Sequence, residues 1–299
     1  MISIIVPCYN GMNYIVRNIE SLLSQIDKEF EVIYVDDGSS DGSEVFLQKY
    51  SEKYDFISII SIPNSGAMKA RQKGLATAKY DYVTFLDVDD TIDPNFIYDF
   101  KQQICSRKFD IIGSNFKIQI DKKTSYLNSF TPGTYTNETF LEKLCTNGGW
   151  ELCGKVYLKK LFNNVNYPDK VVIGEDALIF FQLVTFAKKI KIIDSYLYNY
   201  IQNVASVSHI KSLKMCADGL KAAFYIRNFL QLNSAIEEKY LDSLVLLFFS
   251  NSLRRGLLKR SHEFYPEIKQ ALNLSALSLL STKKKITALV GFILMGLNF

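Results

Sequence analysis

Four short apolar runs, each ending in a cluster of turn-forming and acidic residues, punctuate the chain up to Asp90. Ile2 to Val6 ends in Pro7 to Gly11, and Glu31 to Val35 ends in Asp36 to Gly42. Phe56 to Ile62 leads to Asn64 to Gly66, and Asp81 to Leu86 leads to Asp87 to Asp90. Between the runs the apolar spacing is helical: Ile15, Ile19, Leu22, Leu23 and Ile26 lie within Tyr14 to Ile26, a second helix runs to about Lys53, and a third spans Ala67 to Ala78. Apolar strands alternating with helices form a mainly parallel sheet covered on both faces, and such sheets bind ligands at the carboxyl ends of their strands. All four polar clusters fall at that edge. The expected fold is therefore α/β and Rossmann-like.

Beyond Ser106 the pattern is mixed as far as Asn203, with an extended segment at Asp110 to Ile120 and a helix over Asp176 to Lys188, and it reads as an extension of the same domain. From Lys211 the chain turns helical. This gives a catalytic domain over residues 1–209 and a C-terminal helical region over 210–299. Ile286 to Phe299 is apolar except for Thr287 and Asn298 and follows Lys283-Lys284-Lys285. The stretch is too short to span a bilayer. It fits either a helix lying on an anionic membrane surface or a terminal helix docked on the core.

The net charge of +4 on 299 residues is too small for a nucleic-acid groove. Five cysteines show no zinc-ligand spacing, and the first apolar run lacks the flanks of a signal peptide, so a reducing cytoplasm is the expected compartment.

The chemistry lies in carboxylates. Asp87 and Asp89 stand two residues apart at a strand end, on one side if the segment is extended, where hard oxygen donors suit Mg²⁺ or Mn²⁺ carrying a diphosphate. Asp90 and Asp93 are available to cap the helix starting near Pro94. Asp36-Asp37-Gly38 offers carboxylate oxygens to a ribose hydroxyl or a base N–H, or an Asx turn in which Ser40 or Asp41 caps the next helix. Arg71, after Asn64-Ser65-Gly66, carries a fork that matches phosphate or carboxylate. Glu175-Asp176 is an adjacent pair whose mutual repulsion favours base chemistry in one member, with helix capping as the alternative.

Taken in order, Ser3 to Asn10, Val35 to Gly42, Asn64-Ser65-Gly66 with Ala70-Arg71, Phe85 to Asp90 and Gly174-Glu175-Asp176 resemble family 2 glycosyltransferases of the GT-A class. The resemblance implies an inverting transfer of sugar from a nucleotide sugar, a UDP-sugar above all, to a saccharide hydroxyl in surface polysaccharide synthesis. It implies a Mn²⁺ or Mg²⁺ cofactor, a lipid-linked acceptor and a place on the inner face of the cell membrane. In these terms Pro7, Tyr9 and Asn10 line the nucleobase pocket, Asp36 contacts the base, and Asp37 contacts the nucleotide or its loop. Arg71 faces base and diphosphate, Asp87 the ribose or sugar, and Asp89 binds the metal. Asp176, beside Glu175, is the general base, and His209 closes over the diphosphate as a further metal ligand.

The family's Trp is replaced by Cys153, so Trp150 is the expected acceptor platform; Tyr196-Leu197-Tyr198-Asn199-Tyr200 resembles the segment after the base, and Ile201 or Gln202 stands where an Arg often follows its aromatic pair. A sugar-1-phosphate nucleotidyltransferase would need a Gly-rich, basic signature after the first strand, which Pro7 to Gly11 lacks. A non-enzymatic nucleotide-binding scaffold would have no use for intact Asp87, Asp89, Glu175 and Asp176.

Overall fold

The computed structural model describes residues 1–105, 108–120, 123–167, 174–202, 212–256 and 258–296. Each of the first seven expected elements forms: β1 (Ile2–Cys8), α1 (Met12–Leu23), β2 (Phe30–Asp36), α2 (Ser43–Lys53), β3 (Ile57–Ser61), α3 (Ala67–Thr77) and β4 (Tyr82–Phe85). β1 and β2 are buried along their whole length, as strands covered on both faces must be. The chain continues through β5 (Thr91–Ile92), α4 (Phe96–Ile104), β6 (Ile111–Ile120), β7 (Lys123–Leu127) and β8 (Gly133–Tyr135). Next come α5 (Asn137–Asn147), β9 (Lys155–Leu158), a 3₁₀ turn at Lys159–Asn164, α6 (Glu175–Phe186) and β10 (Ile190–Ile201).

The sheet runs β3-β2-β1-β4-β9-β6-β10-β5, with β7 beside β6 and β8 beside β10. β1 pairs in parallel with β2 and β4, β2 with β3, and β10 with β6. The four-residue β9 enters antiparallel between β4 and β6. The chain moves outward from β1 to β3 and returns to the opposite side of β1 as β4, so the direction of winding reverses between β1 and β4. That reversal is where open α/β sheets bind ligands.

The chain divides into two compact units. The sheet unit comprises Met1–Thr134, Leu152–Asn164 and Lys188–Asn203. The helical unit takes Tyr135–Glu151, Val165–Ala187 and Val204–Phe299, so it includes α5 and α6 as well as residues beyond 209. Its later helices are α7 (Leu213–Asn233), α8 (Glu238–Ser252), α9 (Tyr265–Ala271), α10 (Leu274–Leu279) and α11 (Thr282–Gly296). α8 buries every residue from Leu241 to Ser250, and a helix covered on all sides requires neighbours on all sides. α5, α7, α9, α10 and α11 provide them. No described helix is long and apolar enough to cross a membrane.

Candidate active site

The opening at the sheet edge begins with a proline. Ile5 C=O accepts the Leu86 N–H at 3.0 Å, and the β1–β4 ladder stops at Ile5 opposite Phe85. By strand alternation Pro7 faces the same side, where β4 has ended, so its missing N–H costs no ladder bond. Pro7 itself is buried within β1 opposite Val35. Gly11 then brings the β1 loop against the β4 loop, since a Cβ there would lie 2.9 Å from Cys8 Sγ and 3.1 Å from Val88.

The first three loops brace one another. Asn10 sits at φ 49°, donates its N–H to Ser39 Oγ at 2.9 Å and accepts the Ser40 N–H on Oδ1 at 2.9 Å. Asp41 accepts the Met12 N–H at 2.9 Å, serving the first turn of α1, while its other oxygen accepts the Ser43 N–H and hydroxyl. The cap position of α2 is Gly42, which has no side-chain cap bond, so neither Ser40 nor Asp41 occupies it. Asp37 spends both carboxylate oxygens on the next loop, accepting Ser65 N–H and Gly66 N–H at 2.8 Å each. Gly38, at φ 74°, allows that approach, because a Cβ would lie 2.9 Å from Asn64 N. Asn10 and Asp37 are thus occupied in shaping the loops, and Tyr9 projects from them, 53% exposed.

Asp36 behaves differently. It is fully buried, and its Oδ2 accepts the Ser39 N–H at 3.0 Å, whereas Oδ1 is buried with no hydrogen-bond partner in the protein. A buried acceptor of this kind is costly unless something donates to it. Burial and the neighbouring Asp36 push the Cys8 thiol up to about 12, so Cys8 stays a neutral thiol.

The β4 loop is a turn closed by the Asp90 N–H on Asp87 C=O at 3.0 Å, which replaces the extended geometry expected for Asp87 and Asp89. Every polar group of Asp87 is held. Oδ1 pairs with Arg71 Nη2 at 2.9 Å, Oδ2 accepts the Cys153 thiol at 3.3 Å, the N–H meets Tyr198 Oη at 3.2 Å, and the carbonyl accepts Asn18 Nδ2 at 3.2 Å. Arg71 is itself buried, with its guanidinium 5.9 Å from the Phe85 ring centre. From α1, Asn18 Nδ2 also donates to Asp90 C=O at 2.9 Å, and Arg17 donates to Asp89 C=O at 2.6 Å. The Asn18 amide oxygen accepts the buried Tyr34 hydroxyl at 2.6 Å.

Asp93 serves the start of α4, its Oδ1 accepting the Asn95 N–H at 3.1 Å and its carbonyl the Phe96 N–H at 2.9 Å, whereas Asp90 takes no part there. Asp90 is buried, accepting Tyr198 Oη–H at 2.7 Å and the Ile201 N–H at 2.8 Å. Burial, then the charge of Asp87, raises it to about 8. The other oxygen of Asp93 binds Lys117 Nζ at 2.7 Å.

Asp89 is half-exposed on this turn. Among the described residues no group of three or more His, Cys, Asp or Glu side chains is placed to hold a metal ion. A divalent cation here would therefore rest on one or two carboxylates and on substrate phosphates. Mg²⁺ and Mn²⁺ suit that arrangement, so the donor chemistry of the turn fits them.

In the helical unit, Gly174 at φ 90° holds the cap position of α6, and a Cβ there would lie 2.7 Å from Ala222. Glu175 and Asp176 occupy the first turn, where the helix dipole favours carboxylates, and not the cap itself. Both are half-exposed. Trp150 stacks on Phe248 with ring centres 4.4 Å apart, which occupies one face of the indole. His209 lies outside the described residues.

Sequence reasoning missed Asn18 and Arg17 and gave Tyr198 no role of its own. A signal existed for Asn18, a polar residue on the buried stripe Ile15, Asn18, Ile19 and Leu22 of α1. Tyr198 stood in the aromatic segment Tyr196 to Tyr200, but its bonds to Asp87 and Asp90 depend on the long-range pairing of β10 with β5.

Residues 3–173, more than half the chain, match the family model described as Glycosyl transferase family 2. Glycosyltransferase GlyA of Streptococcus pneumoniae is 28% identical over 223 residues, covering 70% of this chain and 32% of its own length. Cholesterol galactosyltransferase of Borreliella burgdorferi is 29% identical over 220 residues, covering 69% of this chain and 62% of its own. The chain thus spans about a third of the first relative and under two thirds of the second. Among solved structures, S. aureus TarS 1-349 in complex with UDP-GlcNAc superposes with a TM-score of 0.69 at 22% identity, covering 98% of this chain and 88% of that one. A mannosyltransferase from Pyrobaculum calidifontis in complex with GDP-Man and Mn²⁺ superposes with a TM-score of 0.56 at 12% identity, covering 98% of this chain and 86% of that one. At these identities the likeness to the solved structures is one of fold.

Proposed function

The chain belongs to glycosyl transferase family 2, and from that premise we propose that it moves a sugar from a UDP-sugar to a saccharide hydroxyl with inversion at the transferred carbon. The observation that carries the donor assignment is Asp36 Oδ1, a buried acceptor without a partner at the carboxyl edge of β2. A nucleobase N–H supplies the missing donor, and the exposed Tyr9 ring offers a stacking face. The complexes of S. aureus TarS with UDP and UDP-GlcNAc support a uridine donor by analogy of fold.

Arg71 and Cys153 hold Asp87 from opposite oxygens, so it can face the ribose or sugar in a fixed orientation. Asp89 would hold a divalent cation, Mn²⁺ or Mg²⁺, which when bound neutralises charge on the departing diphosphate. Asp176 accepts the proton of the attacking hydroxyl. The oxygen of that hydroxyl bonds to the anomeric carbon as the bond to UDP breaks, and UDP leaves. Trp150, half-buried, would offer its exposed aromatic surface to the acceptor. That acceptor is a growing surface-polysaccharide unit on a lipid carrier, which places the enzyme in the cytoplasm at the inner face of the cell membrane.

Release of UDP from a panel of UDP-sugars, with Mn²⁺ or with chelator, tests the reading. Metal-dependent UDP release from one donor is expected, with Asp36→Leu losing UDP affinity. Diphosphate release from UTP would identify a nucleotidyltransferase instead, and no release from any donor would leave only a scaffold.

A further inference from the structure

α11 is apolar on two opposite faces, and the fold covers only one of them. Ala288, Gly291 and Met295 are buried, and Gly291 fits so closely that a Cβ would lie 2.3 Å from Leu253. Opposite them, Ile286, Leu289, Val290, Ile293 and Leu294 form a continuous stripe at helical spacing, with Ile286 57% and Ile293 61% exposed. An apolar stripe of that length on a helix already docked on one side calls for a second neighbour.

The charges around the stripe identify its chemistry. Lys283, one turn before Ile286, and Arg254, in the turn after α8, are exposed, and neither has an ion pair among the described residues. Both lie close enough to Lys284 that, with burial, they lower its pKa to about 8. Arg260 lies 5.5 Å over the Tyr265 ring, and Tyr265 stacks at 5.2 Å on Phe292 of α11. Lys283, Lys284 and Arg254 repel one another, and none of them has an ion pair among the described residues, a cost that an external anionic surface would remove.

We propose that the Ile286–Leu294 face of α11, with Lys283, Arg254 and Arg260, is a docking surface for an anionic lipid bilayer. The 15-residue helix is about 22 Å long. That is short of a hydrocarbon core of roughly 30 Å, so the helix lies in the interface, with the apolar stripe at the acyl boundary and the cations on lipid phosphates. The surface gives the membrane location proposed above a physical basis, and it rests on that reading only for its purpose, since binding is measurable without any sugar.

The test is flotation of the full chain with phosphatidylcholine vesicles made with and without phosphatidylglycerol. Parent protein should float with the anionic vesicles, partly resisting high salt. One cation near such a surface is worth roughly fivefold in partition, so Lys283→Gln with Arg260→Gln should lower it roughly 25-fold at low salt. Ile286→Ser with Ile293→Ser should abolish the salt-resistant part. Both positions are exposed, so melting temperature and UDP release should match the parent, which separates this claim from the transfer reaction. Parent protein that fails to float, or a serine variant that floats equally, would overturn the proposal. So would sedimentation showing a dimer that the serine substitutions dissociate, since the face would then serve a second copy of this chain.

Discussion

Replacing Asn18 with leucine removes the amide that ties α1 to the β4 turn while keeping the side chain close to its original size. The buried Tyr34 hydroxyl then loses its acceptor at 2.6 Å, and the Asp90 carbonyl loses its donor at 2.9 Å. The Asp87 carbonyl keeps the Asp90 N–H at 3.0 Å, so the longer Asn18 contact on it matters less. Two buried groups stripped of partners cost about 1–3 kcal/mol each. The added apolar burial of leucine offsets about 1 kcal/mol. The expected loss is therefore about 1–5 kcal/mol in urea unfolding followed by circular dichroism. Tyr34→Phe in the Asn18→Leu background should recover about 1 kcal/mol or more, because it removes the stranded hydroxyl. Calorimetry on the same preparations should show weaker Mn²⁺-dependent UDP binding, since Asp89 rides on the turn that Asn18 holds. Parent-like stability together with parent-like Mn²⁺-dependent UDP affinity in Asn18→Leu would refute the claim that α1 presets this turn.

Asp89→Ala should leave UDP affinity insensitive to Mn²⁺ and chelator, because a diphosphate near Asp87 would lack its bridging cation; calorimetry with and without metal checks this. Asp176→Asn should keep UDP affinity and melting temperature while sugar transfer falls roughly 10²- to 10⁴-fold, and turnover within about threefold of the parent would move the base role to Glu175. Lys284 has a folded-state pKa lowered to about 8 by burial and then by Arg254 and Lys283. The unfolded chain therefore holds the extra proton between that value and the ordinary lysine range. Parent stability should rise relative to Lys284→Met as pH increases through that window, and an unchanged difference in melting temperature from pH 7 to about 10 would count against the cause given.

The elements up to β4 were legible because their signals are local: apolar runs set the strands, helical spacing set α1 to α3, and dense turn residues marked each sheet edge. Tertiary pairing was not. β9 is only Lys155 to Leu158, and its partners lie at Tyr82 to Thr84 and Ile111 to Gly113, so nothing in its own residues announces a strand in the middle of the sheet. The same limit applies at the candidate site. Asp36 and Asp37 look equivalent as neighbouring letters, yet the Ser65 and Gly66 amides consume Asp37 and leave an oxygen of Asp36 unpaired, a distinction that appears only when the β3 loop arrives. Asp90 was legible as an acid near a helix start, but its burial under Tyr198 depends on β10 closing over the turn.

The bracing of the first three loops has a consequence for how substitutions combine. Asn10, Ser39, Asp41 and Asp37 each satisfy backbone groups on a loop other than their own, so a change in one withdraws support from residues far along the chain. Substitutions at Asn10 and Ser39 should then be non-additive, because each removes one of two bonds that join the same pair of loops, and the bond left behind depends on the loop position that the other helps to hold. Tolerance at any one of these positions depends on the residues held at the others, and the rim of the sheet accepts alteration as a set more readily than one residue at a time.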